Sequence, residues 1–103
     1  MERTEQGEQA GELRLTPEEI ESRAADFSDW SVTPELMHRT FVFEDFVAVM
    51  AFVNRVAELA ERQHHHPDIM IRYNKVTLTV TSHDAGGVTA RDFTLAAAVE
   101  SSS

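Results

Sequence analysis

The sequence predicts an α+β fold: a four-stranded antiparallel sheet with helices packed on one face, in the order α-β-β-α-β-β-α. Three observations carry this. Two helix starts are written as capping boxes, Thr16-Pro17-Glu18-Glu19 and Thr89-Ala90-Arg91-Asp92. Apolar residues recur at helical spacing from Asp45 to Gln63, a stretch without Gly or Pro. Between these helices lie two pairs of segments that alternate with period two, each pair joined by a short turn. Hairpin-linked strands pair antiparallel, and a sheet with one polar face puts its helices on the other.

Taken in order, residues 1–14 are rich in Glu, Gln and Gly and lack apolar periodicity, so they read as a disordered acidic tail. A domain then spans residues 15–100. Thr16 caps the first helix, Pro17 suits its first position, and Ile20, Ala24 and Phe27 form its apolar stripe. The exit lies near Asp26 to Asp29. Trp30 opens an extended stretch, Thr33-Pro34-Glu35 turns it, and Leu36 to Phe43 alternates. Met37, Arg39, Phe41 and Phe43 share one face, and His38, Thr40 and Val42 the other. In the long helix the stripe is Phe46, Val49, Met50, Val53, Ala57 and Ala60, which reads as core packing. Pro67 limits where that helix ends. Ile69, Ile71 and Tyr73 alternate with Met70 and Arg72, Asn74-Lys75 makes a tight turn, and Val76, Leu78 and Val80 alternate with threonines. Asp84 to Gly87 is a loop. The last helix runs through Glu100, and Ser101 to Ser103 fray.

Composition removes several classes of function. At 103 residues the chain holds one domain. It has no cysteine, which excludes disulfides, thiolate metal sites and thiol catalysis. The net charge of −9, from 18 acids against 9 Lys and Arg, argues against gripping a nucleic-acid backbone. No apolar run approaches the roughly 20 residues of a membrane span, and the polar N-terminus does not read as a signal peptide. A cytoplasmic protein is expected.

The five histidines stand out, four of them between His64 and His83. His64, His65 and His66 lie between the long helix and the third strand. His83 closes the fourth strand and, by alternation, faces the threonine side. A hairpin sets the end of its second strand beside the start of its first, so His83 comes close to His65 and His66. Imidazole gives and takes protons near neutral pH, so the cluster suits proton transfer. Two other readings stay open at this point: a metal site from His64, His66 and His83, and solvated surface histidines with no role.

Longer motifs narrow the choice. Glu61, His65-His66-Pro67, Tyr73-Asn74-Lys75-Val76, Ser82-His83, Gly87 and Asp92 form one joint motif whose spacing holds without gaps. This pattern resembles the pterin-4a-carbinolamine dehydratase family, over about Leu15 to Glu100. The resemblance implies dehydration of 4a-hydroxytetrahydropterin to quinonoid dihydropterin. It thereby implies recycling of the pterin cofactor of aromatic amino acid hydroxylases. The pterin is the substrate, and no cofactor or metal is implied. By position, His65 and His83 carry acid/base work and His66 binds and orients the pterin, which makes these three the catalytic set. Glu61, His64, Thr81, Ser82 and Asp84 are the implied substrate-binding residues. Two positions depart from the family pattern: His64 replaces a frequent acid, and Ile69 a frequent aromatic.

The same resemblance brings a rival, a non-enzymatic binding module that serves as dimerisation cofactor or assembly chaperone. A pure binder would not need His65, His66 and His83 together. Members of the family are commonly homodimers or homotetramers, which fits a small domain with an exposed edge strand. No nucleic-acid or membrane partner is expected.

Overall fold

The computed structural model describes residues 13–102, so residues 1–12 of the expected tail lie outside the described residues. The elements are α1 (Pro17–Ala24), β1 (Ser31–Val32), β2 (Met37–Val42), α2 (Phe46–Gln63), β3 (Asp68–Arg72), β4 (Lys75–Val80) and α3 (Ala90–Ser102). The fold is the α+β arrangement expected, with one antiparallel sheet in the order β1-β2-β4-β3. The two hairpins therefore lie side by side. β2 and β4 form the centre, with Met37 opposite Val80 and Phe41 opposite Val76. No helix among the described residues is long and apolar enough to cross a membrane.

Local chemistry sets the boundaries. Thr16 Oγ1 accepts from the Glu19 amide and the Glu19 carboxylate accepts from the Thr16 amide, a complete capping box on α1. Asp45 caps α2 by accepting from the Ala48 amide at 2.9 Å. The turn before β2 is organised by Thr33, whose hydroxyl accepts from the amides of Glu35 and Leu36.

Alternation builds the core. Met37 and Phe41 of β2 and Val76, Leu78 and Val80 of β4 face the helices. They meet Val49, Phe52 and Val56 of α2 and Phe93, Leu95, Ala96 and Val99 of α3. Phe52 sits between Phe41 and Phe43, with ring centroids 4.7 and 5.0 Å away. On the other face the hydroxyls of Thr40 and Thr77 lie 2.7 Å apart.

Four expectations are corrected. The buried face of α2 is Val49, Phe52, Val56 and Ala60, whereas Phe46 and Ala57 are exposed. The stripe is thus rotated by roughly 65° from the expected one, at 100° per residue. Apolar residues run almost unbroken from Phe46 to Val53, so periodicity alone does not fix which side meets the sheet. The hairpin turn is Tyr73-Asn74, one residue earlier than Asn74-Lys75, and Tyr73 takes a left-handed φ of 50°. Asn74 is held there by bonds with both backbone groups of Phe43. α3 continues to Ser102, past Glu100. Finally, β4 stops at Val80, and His83 opens a 3₁₀ turn, His83–Ala85, instead of closing the strand.

Candidate active site

Two chain segments make the site, and each is shaped by how a helix or strand ends. The first is the end of α2. His64 takes the left-handed conformation, φ 53°, and the amide of His65 reaches back to the Ala60 carbonyl at 3.1 Å. This Schellman closure reverses the chain. It leaves His64 and His66 exposed and turns His65 inward, where it is only 7% accessible.

The second is the segment after β4. The Ser82 carbonyl accepts from the amides of Ala85, Gly86 and Gly87, which winds the 3₁₀ turn, and Gly86 closes it at φ 79°. The turn is braced from outside. Thr81 donates its hydroxyl to the Glu35 carbonyl at 2.6 Å, and the Val88 amide donates to the Pro34 carbonyl at 2.9 Å. Gly87 allows this approach, because a Cβ there would come within 2.6 Å of the Pro34 oxygen and of Arg14 Nε.

The two segments are joined by Asp92, which is fully buried. One carboxylate oxygen lies 2.6 Å from His65 Nε2. The other accepts from the Thr89 amide at 2.8 Å and from Ser82 Oγ at 3.0 Å. An ionised carboxylate only accepts, so the directions of the chain follow. The Arg91 amide donates to Thr89 Oγ1, Thr89 donates to Ser82 Oγ, and Ser82 donates to Asp92. Every buried polar side chain in this run has a partner, which is what makes such a network rigid. With Nε2 hydrogen-bonded to Asp92, Nδ1 is the remaining ring nitrogen of His65.

A second pair lies at the rim. His66 Nε2 is 2.6 Å from a Glu61 carboxylate oxygen, and both side chains are exposed. Arg91 closes the wall by donating from Nη2 to the His64 carbonyl at 3.0 Å. The cleft so formed has a volume of about 370 Å³ and is lined by His64, His65, His66, Thr81, Ser82, His83, Asp84 and Arg91. A second recess of about 370 Å³, lined by Gln63, His65, Ala90, Arg91 and Thr94, shares His65 and Arg91 with it. Among the described residues no group of three or more His, Cys, Asp or Glu side chains is placed to hold a metal ion.

Seven of the eight residues singled out in the sequence thus line one cleft, and Glu61 is tied to it through His66. They are not equivalent. His66 and His83 are exposed, and His65 is sunk in the wall. The Ser82 hydroxyl is committed to Thr89 and Asp92, and the Thr81 hydroxyl to Glu35. Sequence reasoning missed two participants. Arg91 had no signal beyond its place after a cap. Asp92 was legible as the acid of a capping box and as a motif position, but its bond to His65, 27 residues away, was not.

Comparison with known proteins agrees with the geometry. Residues 13–102 match the family described as pterin 4 alpha carbinolamine dehydratase. A relative from Acidobacterium capsulatum, provisionally named a pterin-4-alpha-carbinolamine dehydratase, is 54% identical over 87 residues, covering 84% of this chain and 95% of its own. The crystal structure of a transcriptional coactivator/pterin dehydratase from Brucella melitensis superposes with a TM-score of 0.81 at 31% identity, over 85% of this chain and 96% of that one. A pterin dehydratase-like protein identified as a RuBisCO assembly factor shares the fold, with a TM-score of 0.57 at 23% identity over 70% of this chain and 83% of that one. A match across nearly all described residues, with relatives near half identity, places the chain in the pterin-4a-carbinolamine dehydratase family of hydro-lyases.

Proposed function

We propose that this chain dehydrates 4a-hydroxytetrahydropterin to quinonoid dihydropterin by histidine acid–base catalysis. It would thereby recycle the pterin cofactor of aromatic amino acid hydroxylases in the cytoplasm. The observation that carries this reading is that His65, His66 and His83 line one cleft, with the carboxylates of Asp92 and Glu61 hydrogen-bonded to His65 and His66. Its volume of about 370 Å³ lies in the usual range for small-molecule sites.

The reaction breaks the C4a–O bond, protonates the leaving hydroxyl to water, and takes a proton from a ring nitrogen as the C=N bond forms. It needs one proton donor and one acceptor on the substrate. His83 is exposed on the 3₁₀ turn and is the residue we assign to one of these transfers. His65 takes the other, oriented by Asp92. His66, held by Glu61, binds and orients the pterin. His64 and Asp84 border the same cleft and supply polar contacts. Ser82 acts through Asp92 and is a positioning residue. No metal or cofactor takes part; the pterin is the substrate. The catalytic domain spans residues 15–100, and the working unit is a homodimer or homotetramer.

The test follows decay of freshly generated 4a-hydroxytetrahydropterin by ultraviolet absorbance in chelator-treated buffer. Wild type accelerates the decay, and His65→Ala and His83→Ala, each shown to be folded, lose about 10²–10⁴-fold, the range for general acid–base catalysis. A folded wild-type protein that leaves the uncatalysed rate unchanged would rule out the enzyme and leave the binding-module reading.

A further inference from the structure

The chain has 9 Lys and Arg against 18 acids, yet two of those cations stand directly opposite each other without an acid between them. Arg72 ends β3 and Lys75 opens β4, and as a cross-strand pair their Cβ atoms lie about 5 Å apart. Like charges so placed destabilise a sheet. Among the described residues neither cation has a salt-bridge or hydrogen-bond partner. On the solvent face of β2, β3 and β4 the acid is Asp68, four residues from Arg72 and about 13 Å along the strand.

The surface around the pair is concave. A cavity of about 680 Å³, larger than either recess beside His65, has Arg72, Tyr73, Asn74, Lys75, Thr40 and Thr77 in its walls. The hydroxyls of Thr40 and Thr77 lie 2.7 Å apart, and whichever donates to the other, one proton is left over. The frame is fixed: Asn74 Nδ2 donates to the Phe43 carbonyl at 3.1 Å, and the Phe43 amide donates to the Asn74 carbonyl at 2.8 Å. Tyr73 holds its left-handed φ of 50° at a turn position that suits Gly or Asn, with its ring 67% accessible. Strain of this kind gathers where a chain meets a ligand.

A turn that keeps two repelling cations, a spare hydroxyl proton and an exposed ring around one cavity is complementary to an anion. We propose that the β3–β4 turn binds the phosphate group of a small phosphorylated molecule. The Arg72 guanidinium grips two phosphate oxygens, Lys75 adds a point charge, and the spare threonine hydroxyl is a third donor. The Tyr73 ring offers a face to the organic part of the ligand. Bound phosphate turns the repulsion between the cations into shared attraction. The site is separate from the histidine cleft: Thr81, in the wall of that cleft, lies six residues beyond Lys75, about 20 Å along the chain.

The test titrates the protein with inorganic phosphate and with phenyl phosphate in 0.15 M sodium chloride, by calorimetry, without turnover. Wild type binds inorganic phosphate with a Kd of about 1 mM or tighter, and phenyl phosphate several-fold tighter. Arg72→Gln and Lys75→Gln each weaken both at least tenfold, the effect of losing a charge-assisted hydrogen bond. Lys75→Glu replaces the repulsion with an ion pair, so it raises the melting temperature and abolishes binding. Tyr73→Gly keeps inorganic phosphate bound and loses the preference for the ester. Absence of saturation up to about 10 mM, or binding that survives in folded Lys75→Glu, overturns the site. Equal affinity of wild type for the two probes overturns the assignment to a phosphorylated molecule and leaves the free ion as the ligand.

Discussion

Asp92 accepts three hydrogen bonds in a place no water reaches, from His65, Ser82 and the Thr89 amide. Asn would fit the space but turns one acceptor into a donor. One of the three native donors then faces an N–H, and a buried unsatisfied donor costs about 1–3 kcal/mol. Asp92→Asn is therefore expected to lower unfolding stability by that amount in denaturant titration. It is also expected to lower kcat by about 10²-fold, the low end of acid–base catalysis, with KM little changed because Asp92 orients His65 and does not line the open cleft. An equal loss of activity without the selective effect on kcat would make Asp92 purely structural.

Among the elements, the end of α2 stores a local cost that serves the site. A left-handed conformation is unfavourable for a residue with a Cβ, and His64 adopts it at φ 53°. Glycine is at ease there. His64→Gly is expected to raise stability by about 0.5–1 kcal/mol, the left-handed cost of about 1–2 kcal/mol less the entropy cost of glycine, seen as a higher melting temperature, while the Schellman closure keeps His65 in place. A lower melting temperature would mean that the His64 side chain contributes more than its backbone costs. This end of α2 also shows what was legible in the sequence. Capping boxes, the Pro67 stop and the Val76-Leu78-Val80 alternation are signals of a few neighbouring residues, and they placed the starts of α1 and α3, the end of α2 and the body of β4. The rotation of α2, the early stop of β4 and the inward turn of His65 depend on residues far away in the chain. The sheet selects Phe52 over Phe46, the Pro34 and Glu35 carbonyls brace the loop of His83, and Asp92 draws in His65. The sequence brought the histidines to one end of the sheet; packing decided which of them is buried.

Across the whole molecule, a charge of −9 is carried by 18 acids against 9 Lys and Arg, and the ion pairs of the described residues include Arg39 with Glu100 and Asp29 and, when the imidazoles are protonated, His66 with Glu61 and His65 with Asp92. Excess charge of one sign opposes compactness, and salt screens it over about 10 Å at 0.1 M. The melting temperature is expected to rise by a few degrees between 10 mM and 0.3 M sodium chloride in a thermal denaturation series, on the order of the shift from 0.5–1 kcal/mol. A fall would mean that surface pairs outweigh the repulsion. The Arg39–Glu100 contact has another consequence, because Glu100 also accepts from the indole nitrogen of Trp30 at 2.9 Å. Trp30 is the lone tryptophan, buried against the edge of Phe41, and it joins the start of the first hairpin to the last turns of α3. The protein thus carries its own fluorophore at the seam where the end of the chain is sealed. Its emission registers whether the last turns of α3 are docked against the first hairpin.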